Sequence, residues 1–312
     1  MGSSAAPLVG HLDAALTNFA KKFSNNELIA DRIAPAVLVG RQSDKYYIYG
    51  REGQELTEQQ LRATGAPAEA IRIALSTDSY FCRSHALAAN IADEDRPGYA
   101  EAGDIEQDAV QTMMEKILLQ REKELATMLT DTAQVTNNIT LAGGDQWSDL
   151  LNSDPIGVVE TGKSKIRESG VAPNFMAVGE AVFTKLIQNR EIKELFKYVQ
   201  RGRLNEQDLA AVFGVEEFLV GRAVEVAAGV PGFVWGKHAI IGYRNRAAGR
   251  MDVSGVKTFR WSAAPGTSSG IGVVKARHPN PTAKSDIVGA DDYYHQKITA
   301  VQTLYLVKNA VA

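Results

Sequence analysis

One stretch limits the chain before any other. Residues 104–131 contain no glycine or proline, and apolar side chains return at helical spacing through all of them. Ile105, Ala109, Met113 and Ile117 form one row and Val110, Met114 and Leu118 the next, continued by Leu125, Met128 and Leu129. Asp104 is placed to cap the helix, and Glu106 and Asp108 suit its positive end. At about 1.5 Å per residue the helix is roughly 42 Å long, well beyond the usual three turns. Its apolar positions do not keep one narrow heptad seam, so a coiled coil is not expected. A helix of this length acts as a strut along which the rest of the chain must pack.

The parts on either side are unlike one another. Residues 1–44 form an opening arm, with a short amphipathic stretch from Leu12 to Phe23 and an extended run around Pro35 and Val37–Gly40. Tyr46–Tyr49 reads as a strand, and Ile71–Leu75 alternates apolar and polar positions as a second. The polar residues between them make a long hairpin with four basic residues (Lys45, Arg51, Arg62, Arg72) and four acidic ones (Glu52, Glu55, Glu58, Glu69). Such a loop is either a docking element or a solvated excursion. Residues 136–249 alternate helices and strands. Helices are expected from Pro155 to Ser169, Glu180 to Ile187 and after Asn205 to Phe213, and strands at Phe175–Val178, Phe218–Val220 and Ala239–Tyr243. The end of the chain is mostly strand: Lys257–Trp261, Gly272–Arg277 and Lys297–Val307. The fold class is α+β, and a chain 45% hydrophobic and 23% charged has ample material for a core.

Several function classes are disfavoured. A net charge of -3 lacks the cationic excess of a phosphate-gripping nucleic-acid binder. Residues 250–312 hold eight Lys/Arg against four Asp/Glu, which reads as a solvated face. The lone cysteine, Cys82, lies in an aromatic, strand-like stretch and reads as a small buried hydrophobe. No apolar run is long enough to span a membrane. The five histidines are scattered without metal-ligand spacing. Two motifs suggest chemistry. Gly157 to Ser164 matches the Walker A pattern, with Lys163 and Ser164 as the phosphate and magnesium contacts. It is preceded by polar loop residues instead of a buried strand, and Pro155 starts a helix that would run through it. Two interior glycines are the objection to that helix. Gly266 to Gly270 matches a nucleophile elbow, with Asp286 or Asp291 and then His295 following in hydrolase order. A strand-like run follows it, where the elbow needs a helix. No catalytic, cofactor-binding or metal-ligating residue is therefore assigned, and no enzyme activity is expected.

Taken in order, the segments Asn26–Pro35, Lys45–Ile48, Leu75–Tyr80, Ile91–Arg96, Leu141–Asp149, Ser153–Ile156, Gly170–Asn174, Val215–Glu217 and Val234–Lys237 resemble one branch of phage capsid proteins. Through them nearly the whole chain is similar to the major capsid proteins of tailed double-stranded-DNA phages, which have the Hong Kong 97 fold. The resemblance implies an N-arm at 1–44, an E-loop at 45–75 and a peripheral domain at 76–135 and 250–312 with a spine helix at 104–131. It implies an axial domain at 136–249. It implies a shell of pentamers and hexamers of this chain enclosing the phage genome, without sequence-specific DNA binding. A separate scaffolding protein, a portal and a decoration protein would be the partners. The shell would be assembled in the host cytoplasm, with no membrane involved. Arg51, Glu52, Glu55, Arg62, Glu69 and Arg72 become candidates for intersubunit contact. Residues 51–72 contain no lysine, so the isopeptide crosslink of some members is not expected. Nor is cleavage of a leading scaffold segment. The alternatives are an encapsulin-type compartment of the same fold and, further off, a P-loop enzyme using Lys163.

Overall fold

The computed structural model describes residues 11–13, 15–17, 20, 27–49, 64–65, 75–96, 105–197, 204–227, 229–247, 249 and 252–312. In chain order the first elements are β1 (His11–Leu12), α1 (Ala30–Ile33), β2 (Ala36–Val39), β3 (Ser43–Tyr49), β4 (Leu75–Phe81), β5 (Arg83–Ala92) and α2 (Ile105–Leu129). The middle holds β6 (Asn138–Thr140), α3 (Pro155–Arg167), β7 (Phe175–Gly179), α4 (Glu180–Leu186), α5 (Arg190–Leu195), α6 (Glu206–Phe213), β8 (Glu217–Gly221), β9 (Val224–Ala227), β10 (Val230–Phe233) and β11 (Ala239–Gly242). The chain ends with β12 (Val256–Trp261), β13 (Ile271–Arg277), β14 (Ser285–Ile298) and β15 (Leu304–Lys308).

Two sheets share the long helix α2. Strands β6, β15, β11, β7 and β8 lie side by side in that order, and their residues are apolar on both faces because both faces are covered. One face carries Met176, Val178, Phe218, Val220, Ile241 and Tyr305 against helices α3 to α6. The other carries Phe175, Ala177, Leu219, Ile240, Leu304 and Leu306 against Leu125, Ala126 and Leu129 of α2 and against Ile29 and Ile33. The second sheet has the order β1, β13, β14, β12, β2, with β5 also paired to β14. Its Val273, Val288 and Ala290 receive Val110, Met113, Met114 and Ile117 from the first half of α2. The helix thus leaves one core near Ile117 and enters another at Leu125, which is what a strut does.

Several sequence expectations need correction. The helix that should cover 104–131 is seen over Ile105–Leu129, with Asp104 outside the described residues. The helix after Pro155 stops at Arg167, two residues short of Ser169. Lys297 to Val307 is not one strand. The chain turns after Ile298, where Gly255 O accepts the N–H groups of Thr299 and Ala300, and Leu304 then starts a strand in the other sheet. Residues 304–308 therefore lie in the sheet built by 138–242 rather than with the other strands of 250–312. The strand pairing with Ser43–Tyr49 is Leu75–Phe81, later than the expected 71–75, and residues 71–74 lie outside the described set.

Part of the opening arm belongs to the chain's own core. Ile29, Ala30, Ile33 and Ala34 are buried against α2, and β2 runs parallel to β12. Of the amphipathic stretch from Leu12, residues 15–17 and 20 are helical, and Leu16 and Ala20 pack on the first half of α2.

A charged junction between two cores

The buried stripe of α2 runs through Val110, Met113, Met114, Ile117, Leu118, Arg121, Glu122, Leu125, Ala126 and Leu129. Its spacing is unbroken, but besides Glu106 at its start two of its members are charged. They fall at the handover between the two apolar cores. Glu122 is fully buried and accepts three N–H groups: Ile29 N at 3.1 Å, Ala30 N at 2.7 Å and Trp235 Nε1 at 2.5 Å. The first two are at the N-terminus of α1, where N–H groups have no helical partner, so the carboxylate acts as a cap from a distant element. Burial pushes the Glu122 carboxyl above its usual range, against the pull of the Trp235, Ile29 and Ala30 donors and with some help from Asp31.

Arg121 points the other way. Its guanidinium reaches Asp31 Oδ2 at 2.5 Å and Asp292 Oδ2 at 3.2 Å and lies over the Tyr294 ring. Arg260 donates to the same Asp292 oxygen at 3.3 Å. Asp292 is completely buried, which two arginines make tolerable. Tyr294 donates to Glu124 at 3.1 Å and stacks on His85 at 4.0 Å between ring centres. Lys123, next in sequence, pairs with Glu225 of β9 at 2.7 Å. Four successive residues of one helix therefore tie down the arm, strand β14 and the β9–β10 hairpin with the Trp235 that follows it. The chemistry is positional. Each fixed donor and acceptor sets the register of one element against another, where apolar contacts alone allow sliding.

The two chemical motifs lie elsewhere and are occupied structurally. Gly157 to Ser164 is inside α3, so its backbone N–H groups serve the helix and do not line a loop. Lys163 is buried, donates to Phe213 O at 2.8 Å at the end of α6, and pairs with Glu160 at 2.6 Å. The interior glycines have packing reasons: a Cβ on Gly162 would lie 2.6 Å from the Tyr305 ring, and one on Gly157 would collide with the capping Asp154. Gly266 to Gly270 is a turn leading into β13, and Asp286, Asp291 and His295 are all on β14. Cys82 is buried, and burial pushes its thiol up to about 11. Among the described residues no group of His, Cys, Asp and Glu has the arrangement of a metal site, and no helix is long and apolar enough to cross a membrane.

Arg51, Glu52, Glu55, Arg62, Glu69 and Arg72 lie outside the described residues, but the root of their hairpin is seen. Lys297 pairs with Asp78 at 2.6 Å and donates to Ser79 O at 2.8 Å. Tyr46 donates to Asp78 at 3.2 Å, and His295 Nδ1 accepts the Phe81 N–H at 3.2 Å.

A family model described as phage major capsid protein E matches residues 104–237. The major capsid protein of Burkholderia phage BcepMu is 32% identical over 245 residues, covering 74% of this chain and 76% of that protein. The chain belongs to the phage major capsid protein family. A crystal structure of a phage-related protein from Bordetella bronchiseptica superposes with a TM-score of 0.78 at 25% identity, over 96% of this chain and 98% of the other. The capsid of cyanophage P-SCSP1u matches in fold, with a TM-score of 0.62 at 10% identity over 88% and 86% of the two chains. This capsid protein therefore has the α+β fold of phage capsids. The stretch matched by the family model contains Arg121 to Glu124, Glu225 and Trp235 of the junction, while Ile29–Asp31, Arg260, Asp292 and Tyr294 lie outside it.

Sequence reasoning missed this junction. The signal was present: Arg121 and Glu122 are charged where helical periodicity requires apolar residues. It also missed β9 and β10, whose Val224, Val226, Val230 and Phe233 carry β-type side chains around Gly229.

Proposed function

We propose that this chain is the major capsid protein of a tailed double-stranded-DNA phage. Copies assemble as pentamers and hexamers into the icosahedral head shell around the genome, on the Hong Kong 97 fold. The observation that carries the reading is α2. In a chain of this family, a strut buried against two separate sheets gives each subunit a stiff beam, the arm enters beside it and the hairpin is rooted on β12 and β14. The arm is residues 1–44, of which 29–39 stay home in the subunit core. The E-loop is 45–75, with its root extending to Phe81. The peripheral domain is 76–135 with 250–303, and the axial domain is 136–249 with the returning strand and tail at 304–312.

In this reading Arg51, Glu52, Glu55, Arg62, Glu69 and Arg72 make contacts with neighbouring subunits. Each is weak alone and effective through repetition across the lattice. A separate scaffolding protein, a portal and a decoration protein complete the head, which forms in the host cytoplasm. A net charge of -3 suits a wall that holds DNA without gripping it. Negative-stain microscopy of the protein, purified alone and co-expressed with the phage's other head proteins, is expected to show closed shells. Dispersed subunits in both preparations would sink the proposal. Nucleic-acid content of particles from infected cells separates a genome container from a compartment loaded with cargo protein.

A further inference from the structure

The β9–β10 hairpin forms a two-stranded sheet of its own, with Val224 opposite Phe233 and Val226 opposite Pro231. Paired positions and every second residue share a face, so these four side chains lie together and none is charged. All four are exposed, Val226 at 69% and Phe233 at 48%. Val230, 68% exposed, is on the hairpin's other face, and the other exposed large apolar residues of the described chain (Leu38, Phe81, Leu87, Leu151, Leu195 and Val253) fall singly on their elements. An isolated hairpin is marginal by itself, yet this one is held firmly. Val234 N donates to Ala223 O at 2.9 Å, Trp235 is buried and bonded to Glu122, and Glu225 on the opposite face pairs with Lys123. The subunit thus presents an apolar plate rigidly to the outside.

We propose that this face is an intersubunit contact covered by the same hairpin of a second copy, an inference that rests on the shell reading above. The area decides the kind of occupant. Four side chains make a plate well short of the ~800 Å² and roughly 20 residues per partner of a stable two-body complex. A free-standing partner held only here binds too weakly, whereas a second copy in a lattice brings this contact together with others. The counterpart also follows. An uncharged plate matches an apolar surface, and among the described elements the one that carries more than one exposed large apolar side chain is the hairpin itself. Like surfaces meeting like close about a rotation axis.

Cys82 is buried, so Val226→Cys supplies a single accessible thiol. Its maleimide labelling is expected to be at least about tenfold slower in shells than in free subunits, as for a group desolvated at a well-packed interface. A short bis-maleimide added during assembly is expected to give covalent dimers on a denaturing gel. Val226→Asp places like charges face to face and is expected to lower the assembled fraction at least about tenfold, with the thermal melt of the free subunit unchanged. Equal labelling in shells and subunits overturns the contact. Protection without crosslinked dimers overturns the pairing of hairpin with hairpin. Failure of the unsubstituted protein to form shells is a separate result that removes the shell reading itself.

Discussion

At the scale of single residues, the informative positions are those whose chemistry contradicts their place in the pattern. Arg121 sits in the buried stripe of α2 and serves Asp31 and Asp292 at once. Replacing one member of a buried charged set leaves the others uncompensated. Arg121→Met is therefore expected to cost about 3–5 kcal/mol, measured by denaturant unfolding of the free subunit. A double substitution with Asp292→Asn is expected to recover part of the loss. Lys163 makes the second case. Its Nζ closes the end of α6 at Phe213 O, so Lys163→Met is expected to destabilise the protein by about 1–3 kcal/mol. Mg-ATP is expected to leave the melting temperature of the unsubstituted protein unchanged. A nucleotide-dependent rise would reinstate the P-loop reading.

At the scale of elements, the root of the β3–β4 hairpin is held by groups on β14. His295 is neutral when it accepts the Phe81 N–H. Burial lowers its pKa below 6.5, and Lys297 and Arg83 push in the same direction. A histidine with a depressed folded pKa binds fewer protons folded than unfolded. Its contribution is complete above the unfolded value of 6.5 and is lost as pH falls from there towards the folded one. Melting temperature is therefore expected to decline as pH drops from about 7 to 5. His295→Asn, which keeps an acceptor but does not titrate, is expected to flatten that decline; an unaltered slope would show that other groups set it. β14 also shows why an element can hide. Its inward positions change from Val288 and Ala290 to Asp292, Tyr294 and Gln296, so the alternation that announces a half-buried strand disappears halfway along.

At the scale of the whole molecule, the subunit is built to be joined. The proposed E-loop contacts predict that reversing charge at Arg51, Arg62 and Arg72 together lowers shell yield and increases its salt sensitivity. Particle counts across a salt series measure both, and unchanged assembly would remove these residues from the interface. With no lysine in residues 51–72, assembled shells boiled in detergent are expected to run as monomers, without a ladder of covalent multimers. The long helix and the α+β alternation were legible because their signals are local: uninterrupted helix formers, Asp154 and Asn205 as caps, Gly214 as a left-handed stop. The order of those parts was enough to suggest a shell subunit, and family membership agrees with it.

What the sequence by itself determined was the set of elements between breakers, the α+β class and the long strut, because periodicity and capping act within a few residues of chain. What only the tertiary structure decided was which residues share a neighbourhood across long separations. Residues 304–308 cross into the other sheet, and Ile29–Ala34 fold back into the core. Lys163, in a motif whose phosphate reading the sequence already disfavoured, caps a helix, and Arg121 and Glu122 become the joint between two cores. The physical reason is the same in each case. Desolvation, hydrogen-bond satisfaction and the pairing of buried charge depend on who the neighbours are, and a local pattern does not carry that information.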